Sequence, residues 1–444
     1  MTMRLARHAA AAAALCAVST APALAGGYEL EAQSAELLGT ANAGKSALAD
    51  SAATLFWNPA GMTRLREGAI ALGLTRLDLS LEFEDRGSTD ATGAPMRGSR
   101  REQGVSPAVI PAFAIALPLN DRTSVGLSIQ SKYGLVTDYG DTWAGRYHAT
   151  YSELSTLNVN PAIAHRIDEH WSIGGGIALQ HAYGRLESRI DFGSAAYGIL
   201  GPAVAAAAGF TPQGNDGAIT VEGSDLSAGI TAGVLYEHDA RTRCGLGFRS
   251  RIQHTLHGDA DFDVPAVAAP LTATGLFANS DADTRIATPE TLTLSGYHEL
   301  DDRLALVGDV TWSNWSIVEE LVTKFDNPAQ PDNGVTADWH DTYRVSVGAI
   351  YRLDDAWTLR AGVARAPSPT NNRPPLARLP DSDRMWYTLG ASYRWTESTT
   401  LDLNVAFVDQ KDAPVNVGSP TAGSLRGEAD WDVHWVSVGL RVDF

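Results

Sequence analysis

The chain has 444 residues, 34 Lys+Arg, 52 Asp+Glu and a formal net charge of −18 at pH 7. This acid excess argues against a nucleic-acid partner. Beyond residue 25, no apolar run approaches the roughly 18 residues that a membrane-spanning helix needs. The composition therefore leaves two classes open, a soluble all-β protein and a transmembrane β-barrel, and the periodicity must decide between them.

Residues 1–25 have the pattern of a secretory signal peptide. Arg4 and Arg7 give a positive start, residues 9–18 form a short apolar core without charge, and Ala23-Leu24-Ala25 supplies the small residues of a cleavage site. The core is too short to span a bilayer. We therefore expect an exported protein.

Cleavage after Ala25 would leave residues 26–444 with a single cysteine, Cys244, so no intrachain disulfide could stabilise them. The leader carries two basic residues and no acid, which makes the mature charge 32 − 52 = −20. The 11 histidines show no paired metal-ligand spacing, and no Gly-x-Ser-x-Gly motif is present. The sequence thus predicts no cofactor, no metal site and no enzymatic activity.

Residues 26–63 precede the first strand pattern and are predicted to form a hatch that plugs a barrel. They are rich in Ala and Gly, carry few charges and end near Phe56 and Trp57. A loose periplasmic tail, the alternative, would be charged and poor in aromatic residues. Asn58-Pro59-Ala60 would end the hatch in a fixed turn as structural support. Phe56 and Trp57 either anchor the hatch or line a ligand pocket.

Residues 64–444 are predicted to form the barrel. The last strand alternates strictly between apolar and polar residues, and residues 343–353, 386–395 and 401–407 repeat this pattern. In an outer-membrane barrel the apolar face contacts lipid, whereas in a soluble sandwich it packs inward. The terminal Phe444 resembles the signal that the outer-membrane insertion machinery reads, which favours the barrel.

The connections between strands predict their number. Six short charged turns lie near 119–122, 167–170, 237–240, 300–303, 353–356 and 395–398. Seven long loops lie near 85–106, 137–151, 192–217, 262–283, 319–339, 367–382 and 412–430. Thirteen connections give an all-β, 14-stranded antiparallel transmembrane β-barrel with its short turns on one rim. Aromatic residues near strand ends serve either as a membrane girdle or in cross-strand packing: Trp357, Trp386, Tyr393 and Trp395.

An ordered set of motifs resembles the FadL family of outer-membrane long-chain fatty-acid transporters, whose TodX-type relatives take up hydrocarbons. The motifs span essentially the whole mature chain: Asn58-Pro59-Ala60, Thr288-Pro289-Glu290, Trp312-Ser313-Asn314-Trp315-Ser316, Asp341-Thr342-Tyr343-Arg344 and Pro380-Asp381-Ser382-Asp383-Arg384. The resemblance implies a hatch inside a 14-stranded barrel, ligand capture between extracellular loops and an interior pocket. It also implies release by hatch movement and through a kinked third strand.

A fatty acid needs an apolar pocket with one or two cations for its carboxylate. The family places an arginine on the fifth strand, and the matching residue here is Arg185, with Arg189 as the fallback. The family's lysine after the Trp-Ser motif aligns with Val322, so Lys324, two residues on, is the candidate. Each could instead be a lumen cation paired with acids of the wall.

The third strand, residues 125–135, contains glycines that permit a bulge or kink. A side opening, if one exists, is expected at Ser131, Lys132, Tyr133 and Gly134. Alternatively, the glycines only accommodate neighbouring bulky side chains. The sequence does not decide between lateral and periplasmic release.

These observations predict an outer-membrane channel of a Gram-negative bacterium for passive uptake of long-chain fatty acids or similar hydrophobic molecules. Its other expected partners are outer-membrane lipid and lipopolysaccharide, and the insertion machinery through Phe444, but not nucleic acid. Alternatives are an aromatic-hydrocarbon channel, a general porin and a lipase-like barrel enzyme. The preferred chain length and the oligomeric state stay open.

Overall fold

The computed structural model describes residues 27–370 and 376–444. The predicted signal peptide therefore lies outside the described residues. Within them the chain is almost entirely β, with 21 strand segments joined in one sheet. Among these residues, no helix is long and apolar enough to cross a membrane.

The strand segments follow one another in antiparallel order. They are β1 (Ala69–Asp85), β2 (Arg101–Gln103), β3 (Ala108–Pro118), β4 (Thr123–Gln130), β5 (Gly134–Asp138), β6 (Tyr151–Arg166), β7 (Trp171–Asp191), β8 (Asp216–Glu237), β9 (Thr242–Arg249), β10 (Ile252–Asp263), β11 (Ser280–Thr288), β12 (Thr291–Glu299), β13 (Leu304–Ser313), β14 (Glu320–Phe325), β15 (Asn333–Thr336), β16 (Thr342–Arg352), β17 (Trp357–Ala366), β18 (Arg384–Thr396), β19 (Thr399–Gln410), β20 (Ala413–Ser419) and β21 (Gly423–Asp443).

The helical segments are short. They are α1 (Ala35–Leu38), α2 (Phe192–Leu200), α3 (Pro202–Ala207) and the 3-10 turns Ala52–Phe56, Pro59–Arg64, Ala266–Thr274 and Trp315–Ile317. The first α-helix and the first two 3-10 turns belong to the hatch. Both remaining α-helices lie in one long loop, between β7 and β8.

The segments of residues 27–370 and 376–444 combine into a closed barrel of 14 wall strands. The third wall strand consists of β4 and β5, the seventh of β9 and β10, the eighth of β11 and β12, and the ninth of β13 and β14. β1 pairs with β21 from Ala69↔Asp443 to Asp85↔Gly427, which closes the wall. Closure pairs the first wall strand with the last, so neither leaves a free edge towards lipid, where an unpaired backbone group is costly. The predicted strand number is confirmed.

The short turns lie on one rim, and their chemistry explains their shape. Asp168, Asp239, Asp301 and Asp354 each accept hydrogen bonds from the backbone N–H groups two and three residues further on. Asn120 does the same in the first of these turns. An Asp or Asn side chain that satisfies its own turn in this way favours a tight reversal.

The outer face of the wall is apolar and exposed, as lipid contact requires. On β21, Val436 and Val438 are 38% and 48% exposed, whereas Ser437 between them is fully buried in the lumen. The backbone of Phe444 exchanges two hydrogen bonds with Gly68, at 2.7 and 3.0 Å. The last residue is thus joined to the start of the first wall strand.

The aromatic residues near strand ends divide between the two faces. Trp357, Tyr393 and Trp395 are exposed at the short-turn rim, in the position of an aromatic girdle. Trp386 is instead fully buried in the lumen, where its ring meets that of Trp435 edge to face at 4.7 Å. The girdle interpretation was therefore wrong for Trp386, because the alternation of β18 turns it inward.

The hatch fills the lumen, and from residue 27 to residue 62 only Asp50 and Trp57 are not buried. Glycines on the inner face of the wall make room for it. A Cβ atom on Gly174 would lie 2.5 Å from the backbone nitrogen of Ala60, closer than real Cβ atoms approach. Other wall glycines meet the hatch in the same way: Gly126, Gly245, Gly247, Gly348, Gly362 and Gly439.

Charge joins the hatch to the wall. Segment 27–63 contains four acidic residues, and each forms an ion pair with a basic residue of the wall. The pairs are Glu29 with Lys132, Glu31 with Arg344 at 3.6 Å, Glu36 with Arg360 at 3.1 Å and Arg441 at 2.9 Å, and Asp50 with Arg243 at 3.0 Å. A partly or fully buried charge that loses its partner is strongly destabilising. These pairs therefore specify one position for the hatch.

The predicted hatch motif lies where the hatch meets β8. Asn58 is fully buried, and its Oδ1 accepts a hydrogen bond of 3.1 Å from the backbone N–H of Ala60. Its Nδ2 donates to the carbonyl oxygens of Ser46 at 2.7 Å and Val234 at 3.0 Å. Pro59 begins the following 3-10 turn. Asn58 thus holds an earlier hatch turn, its own turn and the wall together.

Replacing Glu36 by alanine should destabilise the protein, because Arg360 and Arg441 would lose a shared buried carboxylate. We expect the free energy of unfolding to fall by about 3–5 kcal/mol, measured by urea titration in detergent micelles. The control is Asp78→Ala, which removes the partner of the exposed Arg76 and should change the free energy by less than about 1 kcal/mol. Equal effects of the two variants would contradict a hatch held by buried charge.

Candidate ligand-binding site

A cavity of about 1170 Å³ opens at the long-loop rim. Its wall consists of the inner faces of β6, β7, β8, β10 and β11 near the long-loop rim. Its roof consists of the loops around 317–339, 376–379 and 417–422. Aliphatic and aromatic side chains form a large part of the lining and include Leu135, Leu154, Leu186, Ile219, Val221, Leu256, Phe262, Phe277, Ile286, Val318, Leu321, Phe325 and Leu379. This volume accommodates a long apolar ligand.

An aromatic group closes the inner end of the cavity. Tyr28 and Trp339 line the cavity, and Tyr133 and Trp315 are buried behind them. The ring of Tyr28 lies 4.8 Å from that of Trp315, edge to face, and 5.6 Å from that of Trp339. The hydroxyl of Tyr28 donates to the carbonyl oxygen of Ala287, and that of Tyr133 to the carbonyl oxygen of Pro289 at 3.2 Å. The start of the hatch is therefore part of the cavity floor.

The third wall strand is interrupted beside this floor. β4 pairs with β6 as far as Gln130↔Asn158, and β5 resumes at Gly134↔Ser155, so three residues face two and form a one-residue bulge. In the described residues β5 pairs with β6 alone, whereas β4 pairs on both sides. The break falls on the residues predicted for a side opening, and whether the wall opens there stays a prediction.

The hatch backbone occupies the break. The N–H of Leu30 donates to the carbonyl oxygen of Lys132 at 2.7 Å, and the N–H of Gly134 donates to that of Tyr28 at 2.8 Å. The buried ammonium group of Lys132 forms an ion pair with Glu29. The start of the hatch therefore completes, in part, the pairing that the third strand has lost.

The bulge is also attached to β6. The Ser131 hydroxyl donates to the carbonyl oxygen of Thr156. The Thr156 hydroxyl donates to the carbonyl oxygen of Tyr133 at 2.7 Å, and the N–H of Tyr133 donates back to the Thr156 oxygen at 3.2 Å. One threonine therefore satisfies both backbone groups of Tyr133 within the break.

Arg185 and Lys324 point away from the cavity. Arg185 shares its face of β7 with Ile177 and Leu179, which are exposed on the outside, and its guanidinium pairs with Glu187 at 2.6 Å. Lys324 is exposed because its neighbours on β14, Thr323 and Phe325, take the inward positions. The predicted roles of Arg185 and Lys324 in binding the ligand's head group stay predictions. The outward direction of both side chains does not favour these roles.

Of the other residues predicted to contact the ligand, one lines the cavity and two do not. Arg189 does line the cavity, and its guanidinium lies 3.9 Å from the carboxylate of Asp141. Phe56 is buried among alanines of the hatch and wall, with Trp57 edge-on at 5.7 Å. Neither Phe56 nor Trp57 lines the cavity. Their packing therefore favours an anchoring role.

Arg378 is a cavity cation that the sequence did not indicate. Its guanidinium donates to the carbonyl oxygens of Tyr151 and Glu187 at 3.0 and 3.2 Å and to the Ser152 hydroxyl at 3.0 Å. Among the described residues it forms no ion pair with a carboxylate. Burial lowers the pKa of Arg378 to about 10, so the group is still charged at neutral pH. It lies in a loop without strand periodicity, where no sequence pattern distinguishes a ligand-binding arginine from any other.

His148 lies beside this arginine in the cavity lining. Burial, and next the nearby charge of Arg378, lower the pKa of His148 to about 4. The imidazole is therefore neutral at neutral pH, and Arg378 carries the positive charge of this pair.

Comparison with known proteins agrees with this architecture. The sequence profile of the family described as outer membrane protein transport protein (OMPP1/FadL/TodX) matches residues 16–444. The chain is 30% identical over 433 residues to the long-chain fatty acid transport protein of Escherichia coli O157:H7, covering 92% of this chain and 93% of that protein. It is 31% identical over 406 residues to a putative outer membrane protein of Neisseria meningitidis, covering 87% and 86%.

The chain belongs to the FadL/TodX family. The resemblance noted in the motifs is thereby confirmed, as is an outer-membrane location. Because the family consists of transport proteins, the barrel-enzyme alternative is set aside.

Solved structures show the same fold. A Pseudomonas aeruginosa FadL homologue superposes with a TM-score of 0.87 at 24% identity, covering 94% of this chain and all of that one (100%). The Pseudomonas putida toluene transporter TodX superposes with a TM-score of 0.69 at 19% identity, covering 94% and 99%. At these identities the likeness establishes the barrel and leaves the ligand open.

Replacing Lys132 by methionine should loosen the start of the hatch, because Glu29 would lose its ion-pair partner. We expect the Leu30 amide, which bonds to residue 132, to exchange its hydrogen at least about tenfold faster, measured by mass spectrometry on hatch peptides. Adding Glu29→Gln should restore slow exchange, because a neutral amide needs no cation. Lys324→Met is the exposed control. Unchanged exchange in Lys132→Met would show that the pair does not hold the hatch.

Proposed function

We propose that this protein takes up long-chain fatty acids or similar amphiphiles across the outer membrane by passive diffusion. The observation that carries the proposal is the large, partly apolar cavity with Arg378 at its wall, charged and in no ion pair with a carboxylate among the described residues. The fatty-acid transport protein of Escherichia coli, to which the chain is similar along nearly its whole length, supports the same substrate class.

The cavity chemistry suits an acid with a long tail. The aliphatic lining gains free energy by removing an alkyl chain from water, at about 0.8 kcal/mol per buried CH₂. A carboxylate near Arg378 could replace one of the neutral acceptors of that guanidinium with a charged one, which gives a stronger hydrogen bond. Tail and head group are therefore recognised by different parts of one cavity.

An aromatic-hydrocarbon channel is the second candidate, and Tyr28 and Trp339 at the cavity floor favour it. A hydrocarbon, however, would leave the charge of Arg378 without a new partner. A general porin is a poorer candidate, because the hatch fills the lumen and the ion pairs with the wall hold it there.

For release we propose a route past the start of the hatch to the break at Ser131–Gly134, where backbone pairing between hatch and wall replaces pairing between strands. Lateral exit and exit through the periplasmic end differ in whether the Leu30–Lys132 and Tyr28–Gly134 hydrogen bonds must open. We also propose contact of the apolar outer face with outer-membrane lipid and lipopolysaccharide, and recognition of Phe444 by the insertion machinery.

Arg378→Met should weaken the binding of oleate to the purified protein by about 1.5–3 kcal/mol, the range for a hydrogen bond to a charged group. Titration calorimetry in detergent measures this. The matched ligand is the fatty alcohol of the same chain, whose affinity should stay within about twofold because it carries no charge. The fatty alcohol therefore distinguishes two causes of weaker oleate binding, the loss of the positive charge of Arg378 and a disturbed loop.

Two further variants test the candidates from the sequence. Arg185→Ala and Lys324→Met are expected to leave oleate affinity unchanged, because both side chains point outward. A loss confined to oleate in either variant would instead support its predicted head-group role. Equal affinity of the wild type and Arg378→Met for oleate would reject Arg378 and favour the hydrocarbon alternative.

A further inference from the structure

Arg249, at the end of β9, is a buried cation that the cavity does not use. It is 5% exposed, and neither terminal nitrogen of its guanidinium has a hydrogen-bond partner among the described residues. It lies within electrostatic reach of Glu29 on the hatch and of Tyr133 in the break. A buried guanidinium without acceptors is costly, so the site calls for an acceptor that the protein itself does not provide.

Unpartnered polar groups continue from Arg249 towards the break. We define the inner-wall patch as Ser128, Gln130, Asn158, Asn160, Thr231 and Arg249. In this patch Ser128 faces Asn160 and Gln130 faces Asn158 across β4 and β6. The Thr231 hydroxyl donates to Asn160 Oδ1 at 3.2 Å, and Thr231 is the cross-strand partner of Arg249.

The patch has an excess of donors. The Nδ2 groups of Asn158 and Asn160, the hydroxyl of Ser128 and both terminal nitrogens of Arg249 lack partners in the described residues, and both polar atoms of the Gln130 amide are also free. Ser128, Gln130, Asn158 and Asn160 are at most 1% exposed. A buried surface that offers mainly N–H and O–H groups beside one positive charge is complementary to an anion.

The patch adjoins the break on the side of the short-turn rim, and side chains connect it to the cavity. Asn158 accepts a hydrogen bond of 2.9 Å from Gln180, which in turn bonds at 2.8 Å to His254, a residue of the cavity lining. At the other end, Gln130 is the last residue of β4 before the break. Polar side chains therefore connect the two places along one inner face.

We propose that Arg249, with the amide groups of Asn158 and Asn160, forms a second binding site for the carboxylate of the transported amphiphile. The proposal rests on the proposed function, since it takes the ligand to be an acid. A carboxylate that leaves Arg378 for the break gives up a charged partner, and separating it from that cation in a buried space raises a barrier. The second site lowers this barrier and places the head group next to the break in the third wall strand.

The test uses the purified full-length mature protein saturated with oleate that is isotope-labelled at the carboxyl carbon. In nuclear magnetic resonance spectra the wild type should show two bound carboxylate signals. Arg249→Met should lose one of them and Arg378→Met the other. In cells, Arg249→Met should slow oleate uptake at least about tenfold, while calorimetric affinity at the cavity stays within about twofold.

Two further variants keep the test valid if Arg249→Met folds poorly. Arg249→Lys retains the charge and should retain both signals, and Asn160→Leu should weaken the second signal without touching the arginine. Both signals surviving in Arg249→Met would overturn the second site, as would a single signal in the saturated wild type that only Arg378→Met removes. The last result would leave the proposed function standing, whereas the absence of any bound carboxylate signal would reject both.

Discussion

The burial of charge between hatch and wall is the constraint on which the other features of the molecule depend. A 14-stranded wall leaves a wide lumen, and a plug in that lumen must be specified by more than apolar contact, because the inner face of the wall is polar. Each acidic residue of segment 27–63 meets a basic residue of the wall. Such pairs add little net stability relative to apolar packing, but any displaced position leaves charges unpaired. The same wall supplies the glycines that let the hatch backbone approach closely.

The barrel could be predicted because lipid imposes a strict period of two on the wall. Three successive residues illustrate this alternation, with Val436 and Val438 facing outward and Ser437 facing inward. Asp or Asn at the turns indicates where each hairpin reverses. The hatch could be predicted as a plug, since a segment so poor in charge does not suit a free tail. The ion pairs between hatch and wall could not be predicted from the sequence. Glu36, for example, pairs with Arg360 and Arg441, which lie 324 and 405 residues further along the chain, and no local pattern encodes contacts of that separation.

The head-group residues were harder to predict for a different reason. Arg185 and Lys324 were candidates because the resemblance to the family places head-group cations at or near these positions, but a cation serves the cavity only if its side chain faces inward. The alternation of β7 and β14 turns both outward, and this could have been recognised from the exposed neighbours of Arg185, Ile177 and Leu179. Arg378 lies in a loop with no periodicity, and its position depends on long-range hydrogen bonds to Tyr151 and Glu187. The sequence alone carries no signal for it.

The hatch start, the cavity floor and the strand break are parts of one structure. Tyr28 lines the cavity and bonds to Gly134, while the next hatch residue, Glu29, pairs with Lys132 inside the break. A ligand that displaces Tyr28 therefore disturbs a backbone partner of β5 on the side away from β6, where the N–H of Asp138 also donates to the carbonyl oxygen of Gly104 at 2.7 Å. Because an unpaired strand segment is unstable next to lipid, movement of the floor must change the wall at the break. The cavity floor and the break are thus linked through a few hydrogen bonds between the start of the hatch and the third wall strand.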